Sequence, residues 1–160
     1  SPVTAVIPAA DVPGVCFPID SMRGITFVSA HPKSPMRGCK EWSAGIIGLG
    51  ELATTQKRDD ITVVLGDLNS GTDHPSFRKL LEAGFKDAAL CEAKGRHATF
   101  PSWLPWPRII LDHVLFTKGL DASDVSSFCV EGSDHLALVA TLTLKSVNGD
   151  FAVVDSVENN

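Results

Sequence analysis

Four short clusters in this 160-residue chain carry side chains suited to acid–base or metal chemistry: Ser29-Ala30-His31-Pro32, Gly66-Asp67-Leu68-Asn69, Leu111-Asp112-His113 and Gly132-Ser133-Asp134-His135. Histidine titrates close to neutrality, so His31 and His135 are candidates for proton transfer. The oxygens of Asp67, Asn69 and Asp134 are hard donors, suited to orienting water or holding a divalent cation. Each cluster also has a plainer reading taken singly. Gly-Asp-Leu-Asn is a turn sequence in which Asp and Asn tolerate unusual backbone angles, and Ser-Asp-His reads as another turn. Asp112 says more, because it interrupts the apolar run Ile109–Phe116, and a carboxylate buried without a partner is costly. Its neighbour His113 points to the opposite face of a strand. A partner must come from elsewhere, and His135, opening a later strand, is the candidate.

Each cluster ends or interrupts an element of predictable type. Ser1–Ile7, Val12–Ile19 and Gly24–Ala30 read as strands, the last two separated by the polar turn Asp20-Ser21-Met22-Arg23. The segment Cys39–Lys57 predicts a helix whose buried stripe is Trp42, Ile46, Leu49 and Ala53. Ile61–Leu65 is a nearly continuous β-branched run of the kind found in central strands covered on both faces. His74–Ala83 predicts a second helix, with Pro75 in its first turn, Phe77, Leu80 and Leu81 inward and Gly84 after its end. Three more strands follow, Ile109–Phe116, Val125–Val130 and His135–Leu144, and then a short strand and a frayed tail over Asp150–Asn160. Strands mixed with two helices and ending in sequential strands favour an α/β or α+β sandwich. The chain reads as one domain over residues 1–160.

Composition sets the outer limits. With 44% apolar and 21% charged residues, disorder and fibrous architectures are excluded. A net charge of −5 argues against a protein that grips duplex nucleic acid mainly through its phosphates. No run reaches the 18 or so apolar residues of a membrane-spanning helix, and the N-terminus lacks the pattern of a signal peptide. Four cysteines, at 16, 39, 91 and 129, form no C-x-x-C pair, which argues against structural zinc. They allow buried thiols or up to two disulfides in any of three connectivities.

Taken in order, the clusters resemble the endonuclease/exonuclease/phosphatase superfamily: a strand-terminal histidine, Gly-Asp-x-Asn, an apolar strand bearing one aspartate, and Ser-Asp-His. The surroundings are similar too, from His74-Pro75-Ser76-Phe77 through Leu80–Ala88 to Thr99-Phe100-Pro101. The resemblance covers about Ile25 to Leu144. It implies a deoxyribonuclease I-like β-sandwich flanked by helices, of which this chain holds the C-terminal part, with one mainly complete sheet and two principal helices. It implies a phosphoesterase using Mg2+ or Mn2+. Asp67 would orient or deprotonate water, Asn69 would bind the scissile phosphate, and Asp134 with Asp67 would ligate the metal. His135, oriented by Asp112, and His31 would donate to the phosphate or move protons. The substrate would be a phosphate ester of a nucleic acid, a phospholipid or an inositol phosphate.

Two features depart from the family pattern. The family draws an Asn and a metal-binding Glu from an earlier half, and this chain starts after that point. An Arg two residues before the strand aspartate is replaced by Ile110, with Arg108 two residues earlier still. The fragment is therefore expected to be poorly active and to expose an apolar sheet face through which it forms a homodimer. Some bacterial relatives carry membrane helices ahead of this domain, which would place it outside the cytoplasm. Two other readings compete: a phosphomonoesterase acting on inositol phosphates or phospholipid headgroups, and a non-catalytic remnant kept for binding or assembly. In the Pro/Trp-rich loop Thr99–Pro107, Trp103 and Trp106 are expected to pack on their own domain rather than meet a substrate or a lipid surface. His74 and His97 are expected to be plain surface residues.

Overall fold

The computed structural model describes residues 2–7, 10–55 and 59–145. The predicted strand and tail over 150–160 lie outside the described residues.

Six strands form one mixed sheet: β1 (Pro2–Ile7), β2 (Ala10–Pro18), β3 (Gly24–Ser29), β4 (Ile61–Asp67), β5 (Lys86–Asp87) and β6 (Asp112–Phe116), in the order β1-β2-β3-β4-β6-β5. β3 and β4 run parallel, and every other neighbouring pair is antiparallel. The β-branched run falls where predicted, in the centre of the sheet, with Ile61–Val64 all buried. β7 (Leu120–Cys129) and β8 (Leu136–Leu144) form a second, two-stranded sheet with a bulge between Ser123 and Ser126.

Helices cover one face of the large sheet. On α1 (Cys39–Leu49), Trp42, Ile46 and Leu49 pack with Phe77 and Leu80 of α3 (Pro75–Glu82) on Val28, Val64 and Leu115. The other face meets the small sheet. Ile61, Val63, Val114 and Phe116 form a second core with Leu120, Val125, Leu138, Ala140 and Leu142. The alternation of strand residues between faces produces this two-core, three-layer arrangement, an α/β sandwich with two principal helices as expected. Among the described residues, no helix is long and apolar enough to cross a membrane.

Several boundaries differ from the sequence reading. The first helix does not run to Lys57. α1 ends at Leu49, and α2 (Glu51–Thr54) follows after Gly50. A Cβ on Gly50 would sit 3.0 Å from Cβ of Ala83, so the break falls at a residue that packs tightly on the end of α3. Ile109 is not part of β6; it bridges to Phe100 instead. β5 and α4 (Ala88–Glu92) are too short to leave a periodic signal and were not anticipated. Cys39, Cys91 and Cys129 are free, exposed thiols.

Candidate active site at the end of the central strand

Asp67 is the last residue of β4 and Asp112 the first of β6, and the antiparallel register sets them opposite each other. Glycine is required just before this point. Gly66 has φ +144°, and a Cβ there would collide with the Ala30 carbonyl oxygen. The close approach, with Ala30 N–H donating to the Leu65 carbonyl at 2.9 Å, brings the end of β3 against the end of β4. His31 leaves β3 there, exposed, with Nε2 3.6 Å from Asp67 Oδ2.

The turn after Asp67 is held from both ends. Leu68 buries its side chain and its N–H donates to the Leu111 carbonyl. Asn69 adopts φ +51°, a left-handed conformation that asparagine tolerates. Its N–H donates to Asp67 Oδ1 at 2.8 Å, and its Nδ2 donates to the Pro32 carbonyl at 3.2 Å. The Asn69 amide is thus fixed by the segment that carries His31.

His135 arrives from the second sheet. The Asp112 carboxylate accepts from its Nδ1 at 2.7 Å, and Nε2 faces Asp67 Oδ2 at 3.9 Å. This Asp–His pairing, inferred above from strand alternation, fixes which ring nitrogen faces the cleft. Partial burial pulls the His135 pKa down. The Asp112 hydrogen bond and the charges of Asp112, Asp67 and Asp134 outweigh it, and the pKa is raised above the ordinary histidine value. Phe100, a residue to which the sequence reading gave no role, lays its ring 4.8 Å from the imidazole. The signal was present in Thr99-Phe100-Pro101, but nothing in a sequence says against what an aromatic packs.

Five of the six predicted site residues therefore converge: His31, Asp67, Asn69, Asp112 and His135. Asp134, next to His135 in sequence, is exposed, and its charge acts on His135. Among the described residues, ligand atoms of Asp67, Asp112 and His135 lie within 4.8 Å of one another. Two carboxylates and an imidazole fit a divalent cation in donor type. One Asp112 oxygen is already taken by His135, which leaves Asp67 as the principal anionic ligand of the group.

On the other face of β6, His113 is buried, as alternation requires. Its Nδ1 faces Asp87 Oδ2 at 2.7 Å, and its Nε2 donates to the Ser70 carbonyl at 2.7 Å. It clamps the turn that carries Asn69 to Asp87, which also caps α4 by accepting from Leu90 N–H. Two histidines expected on the plain surface are not there. His74 caps α3 and its ring lies 4.2 Å from that of Trp42, while His97 is mostly buried beside Glu92. The expectation for the tryptophan loop also fails: Trp103 is 66% and Trp106 82% exposed. The loop closes through its backbone and Arg108, not by burying indoles.

The profile of the Endonuclease/Exonuclease/phosphatase family matches residues 2–135. No curated protein matches the sequence. Among solved structures, a functionally unknown conserved protein from Enterococcus faecalis is 18% identical, with a TM-score of 0.68 over 85% of this chain and 57% of that one. Humanized D. rerio TDP2 is 15% identical, with a TM-score of 0.69 over 83% of this chain and 60% of that one. Mannosyl-6-phosphatase from Bacteroides thetaiotaomicron is 16% identical, with a TM-score of 0.60 over 78% and 53%. At these identities the likeness is one of fold, and the chain spans a little over half the length of each structure.

Proposed function

The chain belongs to the endonuclease/exonuclease/phosphatase family, and from that premise we propose that the cluster at the end of β4 hydrolyses phosphate esters, phosphodiesters above all. The observation that carries this reading is the convergence of His31, Asp67, Asn69 and the Asp112–His135 pair, brought by four separate segments to one cleft.

Phosphoester hydrolysis must place a water in line with the leaving oxygen, neutralise developing charge and protonate the leaving group. In this reading Asp67, whose Oδ2 faces His31 at 3.6 Å and His135 at 3.9 Å, orients the attacking water and accepts its proton. The Asn69 amide, held by Pro32, donates to a non-bridging phosphate oxygen. His135, kept charged toward higher pH by Asp112, donates to a second oxygen. His31, across Asp67 from His135, is the general acid for the leaving oxygen.

A magnesium or manganese ion would be held by Asp67 and Asp134, where it supplies positive charge against the phosphate. Hard cations of this kind take about six oxygen ligands. Asp67 and Asp134 offer few of them as fixed anions, so the chain by itself is a slow enzyme in this reading.

The test is release of p-nitrophenol from bis-(p-nitrophenyl) phosphate, with p-nitrophenyl phosphate as the monoester control, in magnesium, manganese and chelator. The expected result is metal-dependent turnover, faster on the diester, that Asp67→Ala and His135→Gln abolish. Turnover unchanged in both variants overturns the assignment, and preference for the monoester favours a phosphatase.

A further inference from the structure

The loop that brings Phe100 to the site has an apolar tip whose side chains stand largely in solvent. Pro101-Ser102-Trp103-Leu104-Pro105-Trp106-Pro107 carries no charge. Trp103 and Trp106 stand well exposed, flanked by Leu104 and Ile109, 39% and 54% exposed. The base of the loop, by contrast, is firmly tied. Phe100 and Ile109 exchange backbone hydrogen bonds of 3.2 and 2.7 Å. Ser102 donates its N–H to the Asp134 carbonyl and its hydroxyl to the Ser133 carbonyl, both at 2.8 Å. Arg108 donates from Nε to the Pro101 carbonyl and from Nη2 to the Ser102 carbonyl. The tip is also continuous with the site: Trp103 meets Phe100 edge-on with ring centroids 5.9 Å apart, and Phe100 packs on His135.

We propose that this loop docks the protein on a lipid–water interface, seating Trp103, Leu104 and Trp106 between headgroups and acyl chains. Indole joins a large apolar body to one N–H donor, and tryptophan accumulates where a surface is apolar on one side and wet on the other. Soluble proteins rarely leave such a patch uncovered without a partner for it. Charge separates a lipid surface from a single-stranded nucleic acid, the other ligand that exposed aromatics serve. Nucleic-acid platforms set their aromatics in a basic groove. Here the one cation of the loop, Arg108, is spent on two carbonyls, Asp67 and Asp112 line the neighbouring site, and the exposed Asp134 adds a further negative charge beside it. Docking by this tip would present the cleft to phosphate esters at the surface; that last step rests on the hydrolytic reading above, whereas docking itself does not.

The experiment is sedimentation of the whole chain with phosphatidylcholine vesicles, paired with quenching of its tryptophan fluorescence by brominated acyl chains. The buried Trp42 serves as an internal reference. The expected result is salt-insensitive partition with quenching, reduced roughly tenfold or more in Trp103→Ala/Trp106→Ala and unchanged in His135→Gln. Retained secondary structure in the double variant shows that the tip, not the fold, was lost. No partition, or partition that the double variant keeps, overturns the proposal. Quenching by a single-stranded oligonucleotide in place of vesicles overturns it too and gives the loop to nucleic acid. Vesicle binding without turnover of any phosphate ester leaves docking standing and removes the hydrolytic reading alone.

Discussion

Asp112 Oδ2 and His135 Nδ1 lie 2.7 Å apart across two different sheets, the first residue of β6 holding the residue that leads into β8. The bond is at once a seam between the layers and the device that sets the protonation of His135.

The His135 pKa is raised in the folded chain, above its ordinary value of 6.5. The sign of the linkage follows. Charged His135 contributes stability that is fully present below the unfolded pKa and is lost as pH rises through the folded pKa. Asp112→Asn should move the imidazole titration, followed by NMR, to lower pH. It should also shrink the fall in stability that sets in as pH rises above the ordinary histidine value of 6.5. A titration unchanged in the variant would show that Asp112 does not govern the ring.

Gly66→Ala should destabilise the chain by about 1–3 kcal/mol, because the position needs both a positive φ and room for the Ala30 carbonyl. Urea unfolding of the variant measures the loss. Asp67 should shift with the strand end, so turnover should fall further than stability alone explains.

His113→Ala should cost about 3–5 kcal/mol, because it leaves the Asp87 carboxylate buried without its imidazole. Amide hydrogen exchange should also quicken over Leu68–Gly71, where the Ser70 carbonyl loses its donor. A variant that unfolds at the same urea concentration as the parent would count against the clamp.

Val15 and Phe17 on β2 share a face with Phe27, and Leu65 continues the face of Ile61 and Val63; Val15, Phe17 and Leu65 are exposed. Sedimentation should show self-association of the isolated chain, weakened in Phe17→Ser. A monomer at all concentrations would show that this face stays wet.

Much of this arrangement was legible in the residues. The β-branched run Ile61–Val64 has the pattern of a covered strand, and the side-to-side alternation of β6 by itself separates Asp112 from His113. What stayed hidden was set by tertiary contact. Asn69 announced itself by type, but its hold on the Pro32 carbonyl depends on two strand ends meeting at Gly66. The break at Gly50 was missed, and its tight approach to Ala83, 33 residues further along, is not visible in the sequence. Trp103 and Trp106 read as packing residues because indole is usually buried, and a sequence does not show on which side of a loop the solvent lies.

The turns around the site are fastened largely by peptide oxygens. The Ala30 carbonyl sits against Gly66, the Pro32 carbonyl receives Asn69, the Leu68 carbonyl receives Trp42 Nε1 and the Ser70 carbonyl receives His113. Truncating Pro32, Leu68 or Ser70 leaves their carbonyls in place, so an alanine scan detects these fastenings only at the donors, Asn69, Trp42 and His113. Chain length is the variable they respond to. One residue inserted between Asp67 and Ser70 puts the Leu68 and Ser70 acceptors out of step with their donors, while the catalytic side chains all remain in the sequence.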